Sequence, residues 1–328
     1  MMRELTYSKA LREALIEEME RNPDILLLGE DIGVYGGVFK VTEGLLDRFG
    51  PERVIETPIS EAGFISAAVG LAMTGKHPMA ELMFMDFAYV AADSIFNQAA
   101  KMRYMSGGRA QVPLTIRTQQ GGGRGNAAQH SQSLETFFTH IPGLKVVLPS
   151  TPYDAKGLLK SALRDPNPVM FIEHKLLYNT KGPVPDASQE YTIPLGKADV
   201  KRAGSDATVV SWSRTVLLAL EAAELAAQDG IDVEVIDLRC TVPLDIDAVV
   251  ESVKKTGRLV VAHEAHRRVG VGAEIASLVQ ELAFDYLDAP IERVGALDIP
   301  TPYSKPLEDE ALPDAAKILQ AIKRSAYQ

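Results

Sequence analysis

Beyond Ala207 the chain alternates strand and helix with a regularity that leaves few folds open to it. Strand Ala207 to Trp212 leads to helix Val216 to Gln228, closed by Gly230. Strand Ile231 to Ile236 leads to helix Asp245 to Lys254, and strand Leu259 to Ala262 to helix Gly272 to Leu282. Such alternation implies a mostly parallel sheet covered by helices. The N-terminal part is also mixed. Ala10, Leu11, Ala14, Leu15 and Met19 form the apolar stripe of a helix over Ser8 to Met19, and Asp24 to Leu28 reads as a buried strand. Asp86 through Met105 reads as a long alanine-rich helix closed by Gly107-Gly108. Between the two patterned regions, a polar and weakly periodic run from Tyr178 to Ser205 marks a boundary. The expectation is an α/β protein of two open, mostly parallel-sheet sandwich domains, 1–185 and 205–328, joined by a linker over 186–204.

Two stretches draw attention as chemistry. In Thr57-Pro58-Ile59-Ser60-Glu61-Ala62-Gly63-Phe64, Ser60 is a good helix N-cap, and Glu61 falls where a helix starts. Small residues on the first turns allow another backbone or a flat ligand to approach. The plainer reading is a glutamate that only complements the helix dipole. In Gly121-Gly122-Gly123-Arg124-Gly125-Asn126-Ala127-Ala128-Gln129-His130-Ser131-Gln132, a flexible glycine run precedes a histidine among polar residues. Glu30 falls at the carboxyl end of the strand Asp24 to Leu28, the end of an open parallel sheet where ligands bind, and is a candidate site residue as well as a possible turn carboxylate. Phe84, Phe87 and Tyr89 could line an apolar pocket or be plain core.

Composition excludes several classes. With 34 basic and 44 acidic residues, the net charge of -10 argues against electrostatic binding to nucleic acid or an anionic membrane. The single cysteine, Cys240, cannot form an internal disulfide, and the N-terminus carries no apolar signal core, so a cytoplasmic, reducing location is expected. Gly270-Val271-Gly272-Ala273-Glu274-Ile275 begins like a dinucleotide fingerprint but follows His266-Arg267-Arg268 and ends in Ile. No Gly-Lys-Ser/Thr phosphate loop or Gly-x-Ser-x-Gly elbow occurs. His263 and His266 have no further ligand candidates near them, which favours a solvated or interface role over metal binding.

The Thr-Pro-Ile-Ser-Glu and Ala-Gln-His-Ser-Gln blocks, with Gly29-Glu30-Asp31, Arg103 to Gly108, Pro142 to Val147 and Asp154 to Leu158, are parts of one resemblance that runs over essentially the whole chain. Together they resemble the beta subunit of the thiamine-diphosphate-dependent first component of 2-oxo acid dehydrogenase complexes, the pyruvate, branched-chain 2-oxo acid and acetoin dehydrogenases. The resemblance implies a pyrimidine-binding thiamine-enzyme domain followed by a transketolase C-terminal-like domain. It assigns Glu61 to the cofactor's pyrimidine nitrogen, Phe87, Met83, Ile59 and Ser60 to the pyrimidine pocket, and Glu30 to the cofactor's buried face. His130 would face the reacting carbonyl and the lipoyl group of an acyltransferase core, which in relatives docks on the C-terminal domain. No Gly-Asp-Gly occurs, so Mg2+ and the diphosphate would be held by an alpha subunit in an α2β2 heterotetramer. In some relatives, positions matching Leu114, Ala162, Leu163, Asp165 and Asn167 hold potassium.

Substrate choice stays open. Glu81 to Phe87, Thr139 to Gly143, Glu173 to Tyr178 and Leu307-Glu308-Asp309 resemble acetoin enzymes, whereas the short Gly33 to Phe39 segment is pyruvate-like. A split transketolase-type subunit and a non-catalytic scaffold for the acyltransferase core are the rival readings.

Overall fold

Hydrophobic strands buried on both faces organise each half of the chain. The computed structural model describes residues 2–327. In chain order its first elements are β1 (Met2–Thr6), α1 (Tyr7–Arg21), β2 (Ile25–Gly29), α2 (Leu45–Phe49), β3 (Val54–Glu56), α3 (Glu61–Met73), β4 (His77–Leu82), α4 (Met102–Met105), β5 (Thr115–Gln120), α5 (Glu135–Thr139), β6 (Lys145–Val147), α6 (Pro152–Leu163), β7 (Val169–His174) and β8 (Lys181–Pro185). They continue with β9 (Asp199–Arg202), β10 (Ala207–Ser211), α7 (Thr215–Gln228), β11 (Val233–Asp237), β12 (Cys240–Val242), α8 (Ile246–Thr256), β13 (Leu259–His266), α9 (Val271–Ala283), β14 (Glu292–Ala296), α10 (Lys305–Ala311) and α11 (Ala315–Ser325). Two compact units result. One comprises the chain up to Gln120 together with Phe137–Leu195, and the other comprises Gly121–Thr136 together with the chain from Gly196 onward.

In the first unit six parallel strands run in the order β6-β7-β5-β4-β2-β3. From β2 the chain steps to one side to form β3, then crosses back to form β4 on the other side. The strand order therefore reverses between β2 and β4, and the crevice outside their carboxyl ends is where open parallel sheets bind ligands. Helix α1 starts with the Thr6 hydroxyl accepting Lys9 N–H, and it buries the expected stripe of Ala10, Leu11, Ala14, Leu15 and Met19. A separate antiparallel pair joins β1 to β8.

The second unit is a five-stranded sheet, β14-β13-β10-β11-β9, parallel except for the edge strand β9. Its core sets Val209, Val235 and Val260 against Ala219, Ala222, Ala223 and Ala226 of α7 and Ile318 and Ile322 of α11. The alanine face lets α7 lie close to the sheet. The alternation read beyond Ala207 and the mostly parallel two-domain architecture are both present. Strand β9 falls inside the run read as a linker, where Arg202 and Asp199 face Val235 and Asp237.

The long helix expected over Asp86 to Met105 does not form as one rod. It is a 3-10 turn at Met85–Tyr89, a wide π turn at Ser94–Ala99 and the short α4. At the π turn Ala100 N–H reaches Ile95 O, and buried Ser94 bonds Ser66 Oγ on α3 at 2.7 Å. No helix among the described residues is long and apolar enough to cross a membrane.

Candidate functional site

The carboxyl ends of β2, β3 and β4 carry three glutamates. Gly29 lies in register with Glu56 and Glu81, and Glu30 follows directly. The loop after β3 is tied back through Thr57 N–H to Gly29 O at 3.0 Å, and Glu56 Oε2 accepts Gly33 N–H at 3.1 Å. This brings the first residue of α3, Glu61, close enough to Glu30 for the two charges to interact. Both side chains are buried, each 8% exposed. Burial first, then the charge of Glu61 and then of Asp31, pushes the Glu30 carboxyl above its ordinary value. Glu30 Oε1 has no hydrogen-bond partner among the described residues.

Ser60 occupies the N-cap position of α3, but its hydroxyl does not cap the helix as expected. Its oxygen instead leans over Gly63, 2.8 Å from where a Cβ there would sit, so the first turn is held by Ser60 O accepting Phe64 N–H at 3.0 Å. Ile59 is 83% exposed and Ser60 is exposed beside it. Past β4, Met83, Phe84 and Phe87 are half-buried. The two rings meet edge to face with centroids 5.7 Å apart, and Lys175 Nζ lies 4.7 Å from the Phe84 centroid. Half-buried aromatics favour a pocket wall over plain core. Tyr89 turns outward onto Phe137.

Sequence reasoning missed the groups beneath this crevice. Arg117 on β5 is wholly buried and grips Glu173 through Nε and Nη2 at 2.5 and 2.7 Å, and Glu81 through Nη1 at 2.6 Å. Burial works against its charge, but Glu173 and Glu81 outweigh it and hold its pKa above the ordinary value. Tyr178 donates its hydroxyl to Glu173 at 2.5 Å. Gln119 and Gln120 follow at the carboxyl end of β5, buried, and both amide atoms of Gln119 have no partner among the described residues. The available signal was an arginine inside an apolar strand, a residue rarely buried unless paired.

His130 belongs to the second unit, Glu30 and Glu61 to the first. Its loop is threaded by Gly121, Gly123 and Gly125 at φ of 98°, 90° and 66°. The loop read as flexible is pinned: Gly122 N–H donates to Glu264 Oε1 at 2.8 Å, Gly123 N–H to Glu308 Oε1 at 2.8 Å and Gly125 N–H to Glu308 Oε2 at 3.1 Å. Nearby, Trp212 Nε1 donates to buried Glu135 at 3.0 Å, and burial pushes that carboxyl up to about 7. His263, expected in a solvated or interface role, stacks on Trp212 in the core with centroids 5.1 Å apart, and burial pushes its pKa down to about 4. A Cβ on Gly270 or Gly272 would lie 2.6 or 2.7 Å from that imidazole, which explains the glycine pair that imitates a dinucleotide fingerprint. His266 is half-buried, with Nδ1 2.7 Å from Leu297 O.

Of the potassium candidates, Leu114 O accepts Val169 N–H at 2.9 Å and Ala162 O accepts Asp165 N–H at 3.2 Å, while Leu163 ends α6. Asp165 pairs with Lys145 and accepts Asn167 Nδ2 at 2.9 Å, and Asn167 Oδ1 accepts Arg103 Nη1 at 2.5 Å. No group of three or more His, Cys, Asp or Glu among the described residues could hold a metal ion.

Residues 3–181 match the transketolase pyrimidine-binding domain, and residues 196–318 match the transketolase C-terminal domain. The pyruvate dehydrogenase E1 component subunit beta of Rhizobium meliloti is 49% identical over 328 residues, 100% of this chain and 71% of that protein. The subunit of the same name from Rickettsia felis is 48% identical over 99% of both chains. The acetoin:2,6-dichlorophenolindophenol oxidoreductase subunit beta of Bacillus subtilis is 49% identical over 97% of this chain and 96% of that protein. A solved split-gene transketolase, an inactive beta4 tetramer, superposes with a TM-score of 0.80 over 98% of both chains at 24% identity, a likeness of fold alone.

Proposed function

Because the chain belongs to the family of pyruvate and acetoin dehydrogenase E1 beta subunits, we propose that it cleaves a 2-oxo acid or acetoin with thiamine diphosphate and passes the acyl group, with two electrons, to a lipoyl disulfide. The observation that carries this reading is the buried Glu30–Glu61 carboxylate pair at the strand-order reversal, with an acceptor oxygen of Glu30 unsatisfied and Phe84 and Phe87 beside β4. These groups fit a flat heterocycle bearing N–H donors.

Thiamine diphosphate supplies, when bound, a nucleophilic carbon and an electron sink for cleaving a bond next to a carbonyl. Glu61 would share a proton with its ring nitrogen. Ile59, Met83 and Phe87 would exclude water from the ring, and Ser60 would border it. Glu30, its carboxyl raised by burial and by Glu61, would lie at the cofactor's buried face. His130 would donate to, and take a proton from, the substrate oxygen.

The chain carries no Gly-Asp-Gly, so an alpha subunit would hold the diphosphate and Mg2+. Helix α3 exposes Ala62, Gly63, Ser66, Ala67 and Gly70 along one face, a surface on which another backbone can lie closely in an α2β2 assembly. Exposed Leu282, Phe284 and Tyr286 in the second unit offer apolar surface for the acyltransferase core. Potassium would take the carbonyls of Leu114, Ala162 and Leu163, with Asp165 and Asn167 first releasing Lys145 and Arg103. The buried free thiol of Cys240 suits a reducing, cytoplasmic setting.

The test is co-expression with an alpha-type subunit and turnover on pyruvate, 2-oxoisovalerate and acetoin, with and without thiamine diphosphate and Mg2+. Turnover of one substrate that needs both cofactor and partner supports the reading; none on any substrate refutes it. Glu61→Ala in that assembly should lower turnover by about 100-fold or more, and full retained turnover would remove Glu61 from the chemistry.

A further inference from the structure

The loop that carries His130 is fastened by two buried carboxylates far away in sequence. Glu308, fully buried on α10, spans Gly123 N–H and Gly125 N–H with its two oxygens, at 2.8 and 3.1 Å. It forms no salt bridge among the described residues, so these two peptide N–H groups answer its charge, as in an anion-binding nest. Glu264, buried on β13, takes Gly122 N–H at 2.8 Å and lies 3.4 Å from Ser133 Oγ, while Arg214 Nη1 stands 3.5 Å from its other oxygen.

The loop is shaped to this clamp. A Cβ on Gly122 would come within 2.8 Å of Leu312 Cδ1 and 3.3 Å of Glu308 Oε1. Gly123 and Gly125 hold positive φ that side-chain-bearing residues rarely adopt, and that geometry turns both N–H groups toward one carboxylate. His130 N–H then closes a turn onto Ala127 O at 3.4 Å, and Gly121 N–H reaches Gln132 O at 3.2 Å, so the histidine sits between two pinned ends.

We propose that Glu264 and Glu308 are positioning residues that clamp the glycine loop and thereby set the place of the His130 imidazole. The inference rests on the role given to His130 above. Glu308→Gln keeps the shape but removes the charge and turns one acceptor into a donor facing a peptide N–H. In the cofactor-loaded assembly with the alpha-type subunit, hydrogen exchange of the peptide spanning 121–130 should quicken by about ten-fold, the loss of one charge-assisted hydrogen bond. Turnover should fall by a similar factor. In a His130→Ala background the same substitution should change turnover by less than about two-fold, because two residues acting through one group are not additive.

Unchanged exchange in the loop would overturn the clamp. Quickened exchange with undiminished turnover, or an equal loss of turnover in both backgrounds, would overturn the link to His130. If His130→Ala alone leaves turnover intact, the reading of His130 fails, and the exchange arm still decides the clamp. Should Glu308→Gln loosen the whole domain, Gly122→Ala approaches the contact from the loop side. Its faster exchange should be reversed by adding Leu312→Ala, which clears the Cβ, and failure of that rescue counts against the clamp.

Discussion

Glutamine in place of Glu135 should stabilise the protein above neutral pH and change little in acid. Glu135 is fully buried, and burial outweighs the hydrogen bonds it accepts, including that from Trp212, to bring its carboxyl from 4.5 up to about 7. A proton held by the folded chain but not by the unfolded one stabilises the fold. That contribution is complete below 4.5, shrinks between 4.5 and about 7, and is lost above. At about pH 8 the ionised fold therefore carries a cost of roughly 3 kcal/mol. Glutamine is neutral throughout and keeps a carbonyl for Trp212 Nε1. The stability gap between variant and parent should then open by roughly 3 kcal/mol as pH rises from about 4.5 to about 8. Urea unfolding over that range, followed by the fluorescence of Trp212, the single tryptophan, reads the gap directly. His263 titrates in both proteins and cancels in the difference. A variant no more stable than the parent in alkali, or a gap independent of pH, would refute the reasoning.

His263 has the opposite sign. With its pKa lowered from 6.5 to about 4, it contributes stability above 6.5 that is lost as pH falls toward 4. His263→Phe should flatten that acid-side slope in urea midpoints. Arg117→Met leaves Glu81 and Glu173 buried without their cation and should cost about 3 to 5 kcal/mol in chemical denaturation. Gly272→Ala drives a Cβ into the imidazole and should cost about 1 to 3 kcal/mol, seen as a lowered melting temperature.

What was legible in the residues follows from the range of the forces involved. The alternation beyond Ala207 was readable because each strand is a short, valine-rich segment buried along its whole length and each helix buries a periodic stripe. Strand β9, Asp-Val-Lys-Arg, was not, since an edge strand buries little and is defined by hydrogen bonds to β11. Alanine content suggested one rod over 86–105, but composition is blind to a wide turn set by packing against α3. Glu30 and Glu61 stood out by local rules, a strand end and a helix start. Glu264 and Glu308 did not, because they meet their glycines across 142 and 185 residues of chain. Ser60 was recognised by position, yet its hydroxyl makes no capping bond and lies over Gly63, where a Cβ would sit 2.8 Å from it.

The packing of His263 against Gly272 binds two positions into one evolutionary unit. The ring's thickness, not a phosphate, selects for glycine at 272, while at 270 the carbonyl oxygen of His266, 2.5 Å from where a Cβ would sit, requires glycine as well. A descendant that shrinks residue 263 would release Gly272 to drift but not Gly270, whereas one that keeps the imidazole should purge alanine at either. Positions 263 and 272 should therefore change together or not at all, and a pattern search that reads Gly-x-Gly without asking what stands opposite will mistake an imprint of packing for the imprint of a cofactor.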